Sequence, residues 1–248
     1  MSDMLLSLKD ITKSFTIGVQ EVKVLKGVTF DVKSGDFVTI FGPSGCGKST
    51  LLHTILGLEA PSSGEVIFLG QNLYDNTSED DRSEFRELHI GMVYQQPNWI
   101  KALTVIENVA FPLSLQGIDK VTTLQKAMII LQNLEMANWA NYATSELSSG
   151  QQQKIALARA LVTDPEVLIA DEPTGNLDYE SGQELMQLLA EYNQKGKSVV
   201  MVTHDLEYLK YSKTAVRMLD GVVVDIYDEK NKNELLKEVK SKRGVTHE

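Results

Sequence analysis

The sequence predicts an α/β fold in which one core is interrupted by a helical insertion. Apolar residues alternate with period two through the first third, in "LLSLKDI", "VLKGVTFDV", "FVTIF" and "GEVIFLG", so the chain begins rich in strands. Helical spacing replaces this pattern from Pro97 to about Ser145, and β/α alternation returns after "QQQKIALARALV". A single core split by an inserted helical lobe is the simplest arrangement of these three stretches.

Each further element follows from its local pattern. The strand "FVTIF" runs into a glycine loop and then into "STLLHTILGL", whose apolar residues have helical spacing. In the insertion, "TVIENVAFPLSLQG" and "TTLQKAMIILQNLEMANWANYA" predict helices. Beyond it, "EVLIADEP" and "KSVVMVTHD" predict buried strands, "SGQELMQLLAEYNQKG" predicts a helix, and "TAVRMLDGVVVDI" continues the alternation.

Composition and charge limit the classes of function. The 248 residues carry a formal net charge of −10, and no basic patch stands outside the C-terminal tail, which disfavours binding to nucleic acid. A single cysteine, Cys46, rules out an intramolecular disulfide or a zinc site built from cysteines. No apolar run reaches the roughly 20 residues that span a bilayer, and "MSDMLLSLKD" lacks the features of a secretory leader. We expect a cytosolic chain with no nucleic-acid partner that reaches a membrane only through another protein.

The glycine loop matches the phosphate-binding pattern G-x-x-x-x-G-K-[ST]. Between a strand and a helix, such a backbone wraps a β-phosphate, Lys48 bridges β- and γ-oxygens, and the Ser49 hydroxyl ligates Mg²⁺. A glycine-rich turn without nucleotide is the structural alternative. Cys46 stands at an unspecified position of the pattern, so we interpret it as a small filler rather than a redox switch. The predicted nucleotide-binding residues of this loop are Gly42, Pro43, Ser44, Gly45, Cys46, Gly47, Lys48, Ser49 and Thr50.

Two carboxylates and a histidine stand at the ends of predicted strands. Asp171 and Glu172 follow the apolar run "VLIA", and His204 ends the run "VVMVTH". Because the carboxyl ends of parallel strands meet at one edge of an open sheet, we expect these acids to face the phosphate loop. Asp171 would hold the Mg²⁺ shell, Glu172 would orient or polarise the attacking water, and His204 would contact the γ-phosphate. The alternatives are a solvated turn for the acids and a structural or surface role for the histidine.

A second segment also has the character of an anion site. "ELSSGQQQK", residues 146–154, places hydroxyl side chains and a glycine at the start of a predicted helix. It has no lysine until its last position, whereas the phosphate loop already has Lys48. One chain therefore carries two candidate phosphate-binding segments.

The order of these motifs resembles the ATP-binding cassette family. The phosphate loop is followed by "YQQP", "LSSGQQQ", "ADEPTGNLD" and "TH", and the resemblance extends to about residue 226. It implies an α/β fold with a P-loop NTPase core, an antiparallel β subdomain and an inserted helical subdomain. The expected division is residues 1–96 and 158–226 for the ATP-binding core with its antiparallel β subdomain, 97–157 for the helical subdomain with the signature loop, and 227–248 for a charged C-terminal tail.

The resemblance also implies roles for further residues. Gln95 would be the glutamine of a hinge loop, where it contacts Mg²⁺ or water, and Phe15 would stack on adenine. Asp178 would communicate across a dimer of cassettes. The signature loop would close over the γ-phosphate held by the other cassette, so that two head-to-tail subunits sandwich two ATP molecules. The predicted signature residues are Ser148, Gly150 and Gln151.

One signature position departs from the family pattern. Ser149 stands where the family usually has glycine. Its side chain would crowd the closed dimer, while its hydroxyl would add a hydrogen bond to the phosphate or cap a helix starting at Gly150. We expect these effects nearly to cancel, so that Ser149 tunes dimer closure rather than preventing it.

Within the family, "IGVQEVKVLKG", "ADEPTGNLD" and the single-cassette length resemble the lipoprotein-releasing and macrolide-exporter ATPases, which work with integral membrane permeases. The resemblance implies an ATP-hydrolysing subunit at the cytoplasmic face of the inner membrane. The alternatives are the ATPase of an ordinary importer or exporter, a soluble cassette ATPase acting on ribosomes or DNA, and a nucleotide-binding scaffold without turnover. Trp99 and Ile100, which follow the hinge, would either receive a permease helix or pack inside the helical lobe.

Overall fold

The computed structural model describes residues 4–232 and residue 235. Residues 233–234 and 236–248 of the predicted charged tail lie outside the described residues. Contacts divide the chain into two compact units, a first unit of Met1–Ser83 with Tyr192–Glu248 and a second unit of Glu84–Glu191. The division expected from the sequence, with its helical subdomain at residues 97–157, stays a prediction.

Strands and helices alternate along most of the described chain. The strands are β1 (Met4–Ile17), β2 (Gln20–Lys33), β3 (Phe37–Phe41), β4 (Ser63–Phe68), β5 (Gln71–Asn72), β6 (Ile90–Tyr94), β7 (Val167–Asp171), β8 (Ser198–Thr203), β9 (Thr214–Leu219) and β10 (Val222–Tyr227). The α-helices are α1 (Lys48–Ile55), α2 (Glu79–His89), α3 (Val105–Leu115), α4 (Lys120–Asn133), α5 (Ser149–Leu161) and α6 (Tyr179–Gln194).

The first unit contains an antiparallel sheet of order β2-β1-β4-β5. β1 pairs with β2 along its length, from Met4↔Lys33 to Ile17↔Gln20, and with β4 on its other side. The predicted strands are confirmed, but β1 and β2 are longer than their apolar patterns indicated, at 14 residues each. Most of "IGVQEVKVLKG" therefore belongs to this hairpin, whose two-residue connection begins at Gly18 with a φ of 64°.

The first unit also contains the central strands that carry the phosphate loop. β3 pairs in parallel with β8 and with β9, and β9 pairs antiparallel with β10. Every residue of β3 and β8 is buried, as expected for strands covered on both faces. The strand, loop and helix order predicted for β3 and α1 is confirmed. "TAVRMLDGVVVDI" forms the hairpin of β9 and β10, which turns at Asp220 and Gly221 with φ of 47° and 83°.

The second unit combines a parallel strand pair with a helical lobe. β6 and β7 pair in parallel from Ile90↔Val167 to Tyr94↔Asp171. Helices α3, α4 and α5 pack on one another. Their start signals are local: Thr104 forms a capping box with Glu107 ahead of α3, and the Asp119 carboxylate accepts two backbone N–H bonds ahead of α4. The buried side chains of this lobe include Val105, Val109, Leu113, Ala127, Leu131 and Ile155.

The helix predicted over "TTLQKAMIILQNLEMANWANYA" ends earlier than expected. α4 stops at Asn133, and Glu135 then adopts a left-handed φ of 59°. The backbone N–H of Met136 reaches back to the Leu131 carbonyl at 2.7 Å, which satisfies a carbonyl of the last helical turn. Only a short 3₁₀ turn, Ala137–Trp139, follows. Among the described residues, no helix combines the length and apolar character needed to cross a membrane.

Candidate functional site

The phosphate loop connects β3 to α1 in the first unit. Gly45, at φ 79°, and Gly47, at φ 101°, adopt backbone conformations that L side chains rarely take. The crest residues Pro43, Ser44 and Gly45 are exposed, and a Cβ added at Gly45 would meet no atom within 4 Å. The crest of the loop is therefore open next to the start of α1, and an open glycine loop at a helix N-terminus is the arrangement that binds a phosphate.

The base of the loop is packed tightly against the β9–β10 hairpin. A Cβ added at Gly42 would lie 2.2 Å from the Met218 carbonyl oxygen and 2.9 Å from the Cys46 sulfur. The backbone N–H of Gly221 donates to the Cys46 carbonyl at 3.1 Å. Cys46 is buried within this packing, in agreement with its interpretation as a small filler.

Lys48 lies inside the concavity of the loop. Its side chain is buried, and its ammonium donates to the carbonyls of Gly42 at 2.8 Å and Pro43 at 3.0 Å. Neutral carbonyls are weaker partners for an ammonium than phosphate oxygens, which form charge-assisted bonds. The lysine is thus held where a bound phosphate would outcompete the loop's own acceptors. The next two residues are more accessible, since Ser49 is exposed and Thr50 is half-buried.

His204 leaves its strand at the same level as the phosphate loop. β3 and β8 pair in parallel with Phe41 opposite Thr203, so Gly42 and His204 follow directly from two paired strand ends. His204 is exposed. The structure therefore brings together the loop and the histidine that the sequence placed at the ends of separate strands.

Phe15 lies near the end of β1, opposite Val22 of β2, and is half-buried. The Lys13 ammonium lies 5.0 Å from the centre of its ring. This places a cation against one face of the aromatic side chain to which the sequence resemblance gives an adenine-stacking role.

The two acids and Gln95, the expected hinge glutamine, lie at neighbouring strand ends in the second unit. β6 and β7 end side by side with Tyr94 opposite Asp171, so Gln95 and Glu172 leave neighbouring strands together. Asp171 and Glu172 are half-buried, and Gln95 is exposed. Glu172 has a left-handed φ of 46°, a conformation that is strained for a glutamate. A strained backbone conformation directly after a strand is often found at functional positions.

Two residues of the motif "PTGNLD" contact Gln95, and neither was predicted from the sequence as a site residue. The side-chain amide of Asn176 donates to the Gln95 backbone carbonyl at 3.3 Å. A Cβ added at Gly175 would lie 2.6 Å from the Gln95 side-chain amide. Their place in this motif was the only sign in the sequence that they have a role. The sequence did not show that their partner is Gln95, about 80 residues earlier in the chain.

The signature loop is the start of α5. Ser148 is the N-cap: its hydroxyl accepts from the Gln151 backbone N–H at 3.3 Å, and its own N–H donates to the Gln151 side-chain oxygen at 3.0 Å. The helix begins at Ser149, so the expectation that Ser149 caps a helix starting at Gly150 is wrong. Ser149 is exposed, and its preceding neighbour already supplies the cap. A Cβ added at Gly150 would lie 2.8 Å from the Ser181 hydroxyl, which explains the glycine.

Asp178 holds the start of α6. Its carboxylate accepts the Ser181 backbone N–H at 2.8 Å and the Ser181 hydroxyl at 3.1 Å. The backbone N–H of Ser181, followed by its hydroxyl, lowers the pKa of Asp178 below the ordinary aspartate value. The carboxylate is therefore ionised and oriented by the same helix that constrains Gly150.

The segment after the hinge is attached to α5 by side chains. The Trp99 indole N–H donates to the Gln152 side-chain oxygen at 2.9 Å, and the Arg159 guanidinium lies 4.6 Å from the centre of the indole. Trp99 and Ile100 are both half-buried. The backbone N–H of Ile100 donates to the Asn108 side-chain oxygen at 3.0 Å. Both residues thus contribute to the helical lobe while keeping part of their surface accessible.

Comparison with known proteins agrees with these features. A family model described as ABC transporter matches residues 25–175. The lipoprotein-releasing system ATP-binding protein LolD of Acinetobacter baylyi is 39% identical over 227 residues, 91% of this chain and 99% of that protein. The macrolide export ATP-binding/permease protein MacB of Bdellovibrio bacteriovorus is 39% identical over 219 residues, which cover 88% of this chain and 33% of that longer protein.

A solved structure has the same fold. The dimeric, post-hydrolysis structure of an ATP-binding cassette of Methanocaldococcus jannaschii bound to ADP and Pi is similar with a TM-score of 0.83 and 37% identity, covering 90% of this chain and 98% of that one. The predicted α/β fold of a P-loop NTPase with an antiparallel β sheet and helical elements is thereby confirmed. Because the family match spans more than half of the sequence and LolD aligns along 99% of its length, the chain belongs to the ABC transporter family, as an ATP-binding and ATP-hydrolysing domain.

Proposed function

We propose that this chain hydrolyses Mg²⁺-bound ATP as the nucleotide-binding subunit of a membrane permease. The observation that carries the proposal is the phosphate loop itself, with an open crest above Lys48 and with His204 leaving the paired strand end. Loop amides and Lys48 would hold the β- and γ-phosphates, and Phe15 would stack on the adenine. The remaining loop residues, from Gly42 to Thr50, would shape this cradle.

The oxygen donors suit Mg²⁺. Ser49 offers a hydroxyl at the start of α1, Asp171 a carboxylate at the end of β7, and Gln95 a side-chain amide after β6. Magnesium prefers oxygen ligands and usually combines one or two carboxylates with substrate phosphates and water. The described residues contain no group of three or more His, Cys, Asp or Glu side chains that could hold a metal, so the phosphates would supply the missing ligands. When bound, the ion would neutralise charge on the phosphate oxygens.

Hydrolysis would use the side chains at the ends of β6, β7 and β8. Glu172 would accept a hydrogen bond from the attacking water, whose oxygen bonds to the γ-phosphorus while the bond to the β–γ bridging oxygen breaks. The products would be ADP and inorganic phosphate, and the protons of the water would pass to the phosphate and to solvent. His204 would contact the γ-phosphate, and Gln95 would position the water or the metal shell. Lys48 would stabilise the charge that develops on the bridging oxygen.

The second candidate phosphate-binding segment supports the proposal of a dimer. The Ser148 cap and the start of α5 present an ordered helix N-terminus, and neither the cap nor Gly150 carries a cation. We infer that Ser148, Gly150 and Gln151 close over the γ-phosphate held by a second copy, with Asp178 communicating across the interface. The dimeric form of the similar cassette bound to ADP and Pi supports this arrangement.

The permease partner is proposed from the relatives. LolD is the ATP-binding protein of a lipoprotein-releasing system, and MacB joins an ATP-binding part to a permease in one protein. We infer a permease of the lipoprotein-release or macrolide-export type, which would hold this chain at the cytoplasmic face of the inner membrane. The accessible parts of Trp99 and Ile100, next to the hinge, would contribute to the docking surface.

The test is the replacement Glu172→Gln. The amide cannot polarise water, while Lys48 and the loop amides still bind phosphates, so ATP turnover should fall by at least a hundredfold and binding should persist. Size-exclusion chromatography with ATP and Mg²⁺ should then show a stable dimer. Glu191→Gln, which changes an exposed glutamate of α6, is the matched control. Turnover at the wild-type rate in Glu172→Gln would remove Glu172 as the catalytic carboxylate.

A further inference from the structure

A largely buried lysine lies against the aromatic ring of Phe15. The Lys13 side chain is 12% exposed, its ammonium pairs with the Glu59 carboxylate, and it donates to the Ala60 carbonyl at 2.6 Å. The third neighbour of the ammonium is the Phe15 ring, 5.0 Å away at its centre. A largely buried ammonium needs such partners, because an unpaired charge that has lost its water is strongly destabilised.

These partners come from the turn that follows the helix of the phosphate loop. The Glu59 backbone N–H donates to the His53 carbonyl of α1 at 3.3 Å. On either side of Lys13, β1 bonds the same turn: Thr12 accepts from the Ser62 backbone N–H at 2.8 Å, and the Ser14 N–H donates to the Ser62 hydroxyl at 3.0 Å. Lys13 therefore ties the end of β1 that carries Phe15 to the end of α1, within one compact unit.

We propose that Lys13 is a positioning residue for the nucleotide base, which holds the Phe15 ring in place and makes its open face a better platform for a purine. The proposal rests on the adenine-stacking role of Phe15 stated above. The face of an aromatic ring carries negative charge density, and a cation against one face withdraws density from the other. The electron-rich π-system of a purine stacks more favourably on such a depleted face. The same cation also occupies the first face, which leaves the base one side on which to stack.

The geometric part of the effect concerns the distance between base and phosphates. ATP must place its adenine on Phe15 while its phosphates lie in the loop that opens α1. Because Lys13 joins the segment before Phe15 to the turn after α1, it limits the relative movement of the two binding elements. A pre-organised platform loses less conformational freedom on binding.

The experiment separates base recognition from phosphate binding. Dissociation constants are measured for the non-hydrolysable analogue AMPPNP and for inorganic triphosphate, both with Mg²⁺, on the full chain. Lys13→Met, which keeps an unbranched side chain one atom shorter and removes the charge, should weaken AMPPNP binding about fivefold, which corresponds to about 1 kcal/mol. Triphosphate has no base, so its affinity should change by less than about twofold.

Three further variants make the result specific. Lys9→Met is the matched control, because Lys9 lies on the same strand in an exposed ion pair with Glu65 at 3.2 Å, and it should change neither affinity. Lys13→Arg keeps a cation and should retain most of the AMPPNP affinity. Lys13→Met added to Phe15→Ala should cause no additional loss. Equal losses for AMPPNP and triphosphate, or no loss of AMPPNP, would overturn the proposal.

The design also distinguishes a failure of this inference from a failure of the adenine platform. The deciding quantity is the ratio of the affinity for AMPPNP to the affinity for triphosphate. If Phe15→Ala leaves this ratio unchanged, Phe15 does not stack on the base, and both the adenine platform and the role of Lys13 are wrong. If Phe15→Ala lowers the ratio and Lys13→Met does not, only the role of Lys13 is wrong. Thermal unfolding checks each variant, and should Lys13→Met not fold, Glu59→Gln carries the test. Glu59→Gln removes the charged anchor of Lys13 and should lower the ratio about twofold, and an unchanged ratio would count against the proposal.

Discussion

Trp99 offers the sharpest test of how the helical lobe is held together. Trp99→Ala removes the indole hydrogen bond to Gln152, worth about 1 kcal/mol, and the contact with the Arg159 guanidinium, worth about 1 kcal/mol. It also exposes the apolar surface that the half-buried indole covers, for about another 1 kcal/mol. The expected loss in the free energy of unfolding is therefore about 3 kcal/mol.

Trp99→Phe is the matched variant. Phenylalanine keeps an aromatic face for Arg159 and removes only the indole N–H, so the expected loss is about 1 kcal/mol. For a chain of this size, the midpoints of thermal unfolding should fall by about 6–12 °C for alanine and about 2–4 °C for phenylalanine. Circular dichroism during heating, with Tyr142→Phe as an exposed aromatic control, measures both shifts.

A midpoint for Trp99→Ala within about 1 °C of the wild type would refute this reasoning, because the three contacts would then contribute nothing. The result also decides how permease docking is examined. If alanine destabilises the lobe as expected, lost co-purification of a permease with Trp99→Ala reports folding rather than docking. Trp99→Phe, which preserves most of the packing, is then the variant in which a docking defect is interpretable.

Three other predictions concern the signature loop and its neighbours. Ser149→Gly, added to the Glu172→Gln variant, should strengthen ATP-dependent dimerisation by about two- to fivefold, because it relieves crowding. The measurement is the ATP concentration at which half of the protein is dimeric. A tenfold loss of dimerisation would show that the Ser149 hydroxyl makes an important contact. Gly150→Ala should lower the midpoint of thermal unfolding, because the added Cβ would lie 2.8 Å from the Ser181 hydroxyl. Adding Ser181→Ala should restore part of the lost stability. If it restores none, a clash with Ser181 is not the cause. Because the folded-state pKa of Asp178 is lowered, its stabilisation is complete above the unfolded-state pKa and is lost as the pH falls through the folded-state value. Denaturant unfolding from about pH 5 to about pH 2 should therefore show a smaller loss in Asp178→Asn than in the wild type, and parallel curves would argue against this role.

Local patterns in the sequence determined most of the secondary structure. The buried strands β3, β7 and β8 are continuous apolar runs, and the phosphate loop follows its strand and opens its helix as its glycine spacing requires. These features depend on residues within about ten positions of one another, so they can be predicted from the sequence without knowledge of the fold. α2 and β6 were not predicted. α2 buries only Phe85 among its 11 residues, and β6 includes Gly91 and alternates half-buried with buried residues up to the exposed Tyr94, unlike the fully buried β3. Neither segment is a continuous apolar run of the kind that identified β3, β7 and β8.

The sequence also predicted that the acids and His204 stand at the ends of strands, but only the tertiary structure showed which strands pair with one another. The runs before His204 and Asp171 show where each side chain leaves a strand, and they do not show which strand lies beside it. The registers Phe41↔Thr203 and Tyr94↔Asp171 bring the phosphate loop to His204 in one unit and Gln95 to the acids in the other. Register depends on side-chain packing over long sequence separations, which no local pattern specifies.

The contacts that hold the site in position were decided by the tertiary structure alone. In the sequence, Lys13 looks like an ordinary strand lysine. Only the approach of the turn at Glu59 makes it a largely buried cation against Phe15. In the sequence, Gln152 is one of three consecutive glutamines. Only the packing of the segment around Trp99 on α5 brings the Trp99 indole N–H to its side chain. The sequence by itself predicts which residues would carry phosphate chemistry, because that chemistry needs particular residue types at short spacing. The tertiary structure alone decided which side chains orient those residues, because these side chains come from distant parts of the chain. Their burial and hydrogen bonds depend on contacts that form only when the core is assembled.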